Sequence, residues 1–237
     1  MKIKEFVAFE GEQFTLEWYF DLRGKSKAQE YFKELSIGQQ IKTLNLFRLI
    51  GNRKTLFNKE KFRHEGDQIF AIKPKPDRFL CFFYAGAKII ITNAYQKKAD
   101  KMSPKEKDLA LKCRSDYKQR VVKRAIIMNK KNQKSTYDKF IEKLSPQEKK
   151  EFDQEYKDLL LSELILAAMT QDEISVRELA KMAGVSPTVV QAMRSNTRSN
   201  YSLETFSKIL KSLGYNQFMI GRDGHFVAID LSQLGKK

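Results

Sequence analysis

Eight basic residues, Lys61, Arg63, Lys73, Lys75, Arg78, Lys97, Lys98 and Lys101, fall within 41 residues, interleaved with Phe62, Phe70, Tyr84 and Tyr95. Cations grip phosphate oxygens and aromatic rings stack on bases, so the pattern points to a nucleic-acid partner. The formal charge of +16 supports this, because residues 1–127 carry +13 of it and residues 128–237 only +3. Metal chemistry has little to draw on. There are two histidines, His64 and His225, two widely spaced cysteines, Cys81 and Cys113, and no acidic cluster. No metal and no cofactor are expected, and a metal-dependent nuclease is disfavoured. The run "DLLLSELILAAM" is short of the roughly 20 apolar residues a membrane span needs. The N-terminal "MKIKEFVAFEGEQ" has acids where a signal core would be apolar. A cytoplasmic location with reduced thiols and no membrane partner is expected.

The elements that would position these residues follow from periodicity. A chain of 237 residues suggests two domains of roughly 100 residues each. "FTLEWYF" alternates with period two and predicts a strand. Ser26 caps a helix over "KAQEYFKEL", and "GQQIKTLNLFRLIG" predicts a second that Gly51 stops. "QIFAIK", "RFLCFFY" and "KIIITNAY", separated by "PKPD" and "AGA", predict an antiparallel meander. Ser103 and Pro104 open a last helix. The expected fold is α+β, with an antiparallel sheet and helices against one of its faces.

The stretch "IFAIKPKPDRFLCFFYAGAKIIITNAYQKKADKMSPKEKDLALKCRSDYKQR" resembles the RelE/HigB superfamily of bacterial toxins, in its phage-derived Gp49-like branch. Lys73, Arg78, Tyr95, Lys97, Lys98 and Pro104 carry the likeness, which covers roughly residues 12–120. The resemblance implies a ribosome-dependent messenger RNA endonuclease. In that reaction a ribose 2′-hydroxyl attacks phosphorus, so a base, a charge stabiliser and an acid are needed. Lys73 is the preferred base, with Lys97 close behind, since neighbouring cations lower an amine's pKa. Arg78 suits the developing phosphate charge, assisted by Lys97 and Lys98. Lys61, Arg63, Lys75 and Lys101 would bind the RNA backbone, and Tyr84 or Tyr95 would stack a base. "ADKMSP" stands where the better-known pattern has a tyrosine after the basic pair, which leaves the acid open. His64 could serve, although an exposed and idle histidine is expected there.

"SVRELAKMAGVSPTVVQAMRSN" carries the clearest motif of the second half. Leu179, Ala180, Ala183, Val185, Val190 and Met193 would pack two short helices, with Gly184 at the turn and Ser186 and Pro187 opening the second. It resembles the helix-turn-helix of the lambda-repressor or XRE class. That likeness implies Ser186, Thr188, Gln191, Arg194 and Ser195 facing the DNA major groove. "SLETFSKILKSLG" predicts another helix. "QFMIGRDGHFVAIDL" predicts a C-terminal β-hairpin of a kind that often dimerises. Upstream, residues 138–163 read as an amphipathic helix of net charge −3, a candidate clamp for a basic groove.

Around Met128, "RAIIMNKKNQKSTYDKF" reads as an ending followed by a fresh beginning. The two halves together resemble a host-inhibition-of-growth toxin followed by its HigA-like antitoxin in one polypeptide. The expected division is a toxin domain over 1–124, a linker over 125–136 and a mostly helical antitoxin domain over 137–237. The resemblance implies a metal-independent messenger RNA interferase silenced while the halves are docked. Its partners would be messenger RNA on the ribosome, operator DNA that the second half represses, and a second copy through the antitoxin domain. The rival reading is a helix-turn-helix transcription regulator whose first half is a non-catalytic RNA-binding or sensing module.

Overall fold

Short β-branched and aromatic runs set the strands of this chain, and serine caps set most of its helices. The computed structural model describes residues 6–53, 58–85, 87–97, 103–122, 134–196, 201–222 and 225–231. In order come β1 (Val7–Glu10), β2 (Thr15–Trp18), α1 (Lys27–Glu34), α2 (Ile37–Asn52), β3 (Phe62–His64), β4 (Phe70–Ile72), β5 (Asp77–Tyr84), β6 (Lys88–Gln96) and α3 (Pro104–Val122). There follow α4 (Thr136–Lys143), α5 (Pro146–Gln171), α6 (Val176–Ala183), α7 (Pro187–Ser195), α8 (Leu203–Ser212), β7 (Gln217–Arg222) and β8 (His225–Asp230). The chain divides into two units, Met1–Tyr156 and Lys157–Lys237. The boundary between them falls inside α5, and the expected linker over 125–136 lies mostly outside the described residues.

The expected meander is β4, β5 and β6, each antiparallel to the next. It belongs to a larger sheet of order β1-β2-β6-β5-β4-β3. β2 runs parallel to β6, from Thr15 opposite Lys88 to Trp18 opposite Ile91, so the sheet is mixed and not wholly antiparallel. This places β6 between two strands, and Ile89 to Asn93 are buried, as a continuous aliphatic run requires. Helices cover both faces, which corrects the one-sided arrangement. On one face Trp18 meets Phe47 of α2 at 5.7 Å and Phe79 at 6.4 Å between ring centroids. On the other, Ala110, Cys113 and Tyr117 of α3 cluster with Leu80, Phe82 and Ile90.

Gly51 does not stop α2, which runs on to Asn52. Its carbonyl accepts from Gln13 N and Phe14 N at 2.8 and 2.9 Å, and a Cβ on Gly11 would lie 2.4 Å from the Gly51 carbonyl carbon. The glycine pair lets the β1–β2 turn touch the end of the helix, where any side chain would force them apart.

The segment from Lys134 to Tyr156 belongs to the first unit. A capping box between Ser135 and Asp138 starts α4. Trp18 Nε1 donates to the buried Thr136 Oγ1 at 2.8 Å, and Thr136 Oγ1 donates to Val7 O at 3.4 Å. Asn45 Nδ2 of α2 donates to Phe152 O at 2.8 Å, and the Phe9 and Tyr137 rings meet at 4.9 Å. Phe152 is 1% exposed, a burial that contributes about 1.5–3 kcal/mol for a side chain of this kind. Arg48 stacks 3.9 Å over the Tyr156 ring and pairs with Asp153 at 3.2 Å. All these partners lie on the α2 side of the sheet or along β1.

In the second unit Ile165, Ala168 and Met169 of α5 pack with Leu179, Ala180, Ala183, Val190, Met193, Ile209 and Leu213. Ser175 and Glu178 form a capping box, Gly184 turns the chain at φ 62°, and Ser186 with Pro187 opens α7. β7 and β8 pair antiparallel, from Gln217 opposite Asp230 to Arg222 opposite His225.

Candidate functional site

The basic cluster is sorted by strand alternation. β3 pairs with β4 and β4 with β5, and Arg78 stands opposite Tyr95 of β6. Cross-strand partners share a face, and Leu80, two residues beyond Arg78, packs against α3. Arg78 and Tyr95 therefore face the α3 side. Lys73 follows directly on β4, where its N–H donates to Lys61 O at 2.8 Å, and its Nζ lies 3.9 Å from Glu65 Oε1. Lys73, Glu65, Arg78 and Tyr95 form one patch, with Arg63 within electrostatic reach of the amine.

Lys73 is 7% exposed, and burial is the main cause that lowers its amine to about 8. Arg78 and Arg63 push in the same direction, while Glu65 opposes them. The sequence reading made cation crowding the cause, whereas desolvation comes first. Burial likewise lowers Arg78, which stays charged because a guanidinium starts so high. Burial raises the Tyr95 phenol, with Arg78 pulling it back down.

Two supports fix the patch. Tyr31 of α1 donates its hydroxyl to Asp77 Oδ1 at 2.5 Å, and Gln39 of α2 donates its amide to Pro74 O and to Lys75 O. Together they hold the β4–β5 turn, which contains a cis Lys75–Pro76 peptide. The β3–β4 turn is held by α3, since Lys107 pairs with Asp67 at 2.7 Å and Arg114 donates to Asp67 O. Lys97 comes beside the first turn through its N–H, which donates to Pro76 O at 3.1 Å.

Other predicted residues stand elsewhere. Lys61 is half-buried, and its charged neighbours are Lys75, Glu155 of α5, Glu60 and Lys42 of α2; burial lowers its amine. Lys75 is exposed and pairs with Glu60 at 2.8 Å. Tyr84, at the far end of β5, packs edge-on against Tyr117 at 5.2 Å and does not join the patch. The His64 ring lies 4.9 Å from that of Phe70, tilted by 51°, on the strand's other face from Arg63. Lys98 and Lys101 lie outside the described residues. Glu65 was missed, because the three-residue β3 leaves no readable period before it. Asn93 and Glu106 were also missed: Asn93 Nδ2 donates to Glu106 Oε2 at 2.9 Å and to Glu106 O at 3.3 Å, across 13 residues.

On α7, Thr188 and Gln191 are exposed and share a face with the half-buried Ser195. Ser195 Oγ donates to Gln191 O at 2.8 Å. Ser186 Oγ accepts from Val189 N at 3.4 Å as the helix cap. Arg194 is half-buried, and its carbonyl accepts from Ser162 Oγ at 2.5 Å. Among the described residues there is no group of three or more His, Cys, Asp or Glu that could hold a metal ion. No described helix is long and apolar enough to cross a membrane.

A mixed sheet with helices on both faces and a buried lysine beside an arginine is compatible with the RelE-like class of fold. Residues 30–115, from α1 into α3, match the family described as Phage derived protein Gp49-like (DUF891), a family of the RelE/HigB toxin type. The match covers less than half of the chain and lies within the first unit. No curated protein matches the chain.

Proposed function

We propose that the first unit is a metal-independent endoribonuclease that cleaves messenger RNA on the ribosome. The neutral Lys73 amine takes the proton of a ribose 2′-hydroxyl, and that oxygen attacks the adjacent phosphorus. Arg78 holds the non-bridging oxygens as charge builds on them. The P–O5′ bond breaks and the Tyr95 phenol protonates the leaving oxygen, giving a 2′,3′-cyclic phosphate and a free 5′-hydroxyl. Glu65 offsets the cations between turnovers, and Lys97, Arg63 and Lys75 extend the phosphate track. The observation that carries this reading is a buried amine poised at about 8, on the same strand face as Arg78 and Tyr95.

The second unit, on this reading, is the antitoxin portion. It reads operator DNA with the Thr188, Gln191 and Ser195 face of α7, together with Ser186 and Arg194, and pairs with a second copy. The segment 134–156 is its grip on the ribonuclease. This grip, over 134–156, sits on the α2 and β1 side, whereas Lys73, Arg78 and Tyr95 face α3. Expression of residues 1–124 should arrest growth and cut messages, the whole chain should not, and Lys73→Ala in the short form should abolish both effects. Equal tolerance of the short and whole chains would refute the silencing; an uncut message from folded, ribosome-supplied short chain would refute the ribonuclease.

A further inference from the structure

A second cleft opens beside the patch. It has a volume of about 580 Å³, enough for one nucleotide, and is lined by Lys27 of α1, Asn93 of β6, and Lys105, Glu106, Leu109 and Lys112 of α3. Asn93 lies two residues before Tyr95 on β6 and so on the same strand face, and Glu106 is within electrostatic reach of the Tyr95 phenol. The cleft therefore adjoins the Arg78 and Tyr95 patch along β6.

Its walls combine three ammonium groups with one oriented carboxylate. Asn93 is 1% exposed and both N–H groups of its amide are used, donating to Glu106 Oε2 and Glu106 O, with Thr92 Oγ1 2.8 Å from the amide oxygen. Asn93 cannot itself read a ligand, but it fixes the Glu106 carboxylate. Glu106 Oε1 has no partner among the described residues, and Oε2 keeps a second lone pair. Asp108 also lines the cleft, so two of its charged groups accept while three donate.

We infer that the cleft is a base-reading subsite of the proposed ribonuclease, in which Glu106, aimed by Asn93, selects a guanine next to the scissile phosphate while Lys27, Lys105 and Lys112 hold the flanking backbone. An ionised carboxylate only accepts, and guanine alone among the four bases presents two adjacent N–H donors, at N1 and N2, that meet both of its oxygens. Uracil would set a carbonyl oxygen against the carboxylate. The inference rests on the ribonuclease reading for the polarity of the strand.

Binding of the whole chain to labelled oligouridine hexamers carrying one G, A, C or U in the middle tests it. The parent should hold the G hexamer about tenfold more tightly than the U hexamer, the range a bidentate base contact gives. Glu106→Gln should erase that margin, because the substituted amide's oxygen still accepts from Asn93 while its nitrogen sets a donor against the guanine N–H groups. Lys112→Ala should weaken all four hexamers by the same factor. A parent that binds the four equally, or a Glu106→Gln variant that keeps the margin, overturns the subsite alone. A parent that binds none of them at low salt overturns the RNA reading with it.

Discussion

Raising the pH should switch the first unit on in a way set by one amine. Lys73 titrates at about 8, so its neutral, base-competent fraction is about 1% at pH 6, about 9% at pH 7 and about 90% at pH 9. Single-turnover cleavage of a ribosome-bound message by the 1–124 polypeptide should thus rise about tenfold from pH 6 to 7 and about tenfold again from pH 7 to 9. Lys73→Arg keeps the charge but replaces a group at about 8 with one above 12, so the neutral fraction at pH 7 falls by about four orders of magnitude. The same amine leaves a mark on stability that needs no catalysis. Its folded pKa lies below the ordinary 10.5, so between about 8 and 10.5 the unfolded chain binds more protons than the native one. Stability of the whole chain should rise with pH through that window, and Lys73→Met should reduce the rise to what Lys61, whose amine burial also lowers, contributes. A rate flat between pH 6 and 9, or a Lys73→Arg variant cutting at the parental rate, would refute the assignment of Lys73 as base.

Thr136→Val leaves the Trp18 indole N–H buried without its acceptor, so the first unit should lose about 1–3 kcal/mol in chemical denaturation; a change within 0.3 kcal/mol would sink the claim that the segment seals this core. Tyr31→Phe removes the hydroxyl that holds Asp77, and should lower single-turnover cleavage about tenfold or more without moving the pH midpoint, because the turn that aims Lys73 and Arg78 loosens. An unchanged rate would show that the turn is held by Gln39 alone.

The parts of the fold that were legible in the sequence are those whose cause is local. Ser26 and Ser186, read as caps, each accept from a backbone N–H three residues on. The meander was legible because its turns carry Pro, Asp and Gly. β1 and β3 were not, since four and three residues are too few for a period to repeat. Parallel pairing of β2 with β6 joins residues more than 70 positions apart, and no local signal reports it. The site shows the same split. Arg78 and Tyr95 were singled out by the family resemblance and stand opposite each other on β5 and β6, whereas the neighbours of Lys61, among them Glu155 of α5 and Lys42 of α2, lie far from it in sequence and no local signal reports them. His64 was left open because its facing depended on recognising β3.

The fresh start that the sequence suggests at Met128 and the structural division at Tyr156 do not coincide, and the 28 residues between them carry the consequence. Trp18 is 2% exposed and Asn45 fully buried, and the indole and the amide both donate to residues of 134–156. Buried aromatic and arginine anchors dominate binding energy where surfaces meet, and Trp18, Phe9 and Arg48 supply both kinds on this face. If the two halves are toxin and antitoxin, the antitoxin holds its partner by completing a core rather than by neutralising a charged groove. The buried anchors of such a grip, Trp18, Asn45 and Phe9, are insensitive to salt and only the partly exposed Arg48–Asp153 pair is screened, whereas RNA binding at Lys73 and Arg78 weakens steeply as salt rises. High ionic strength would therefore strip RNA from the chain while leaving the buried contacts of the segment seated, so on this reading the segment 134–156 anchors the antitoxin without itself covering the face that bears Lys73.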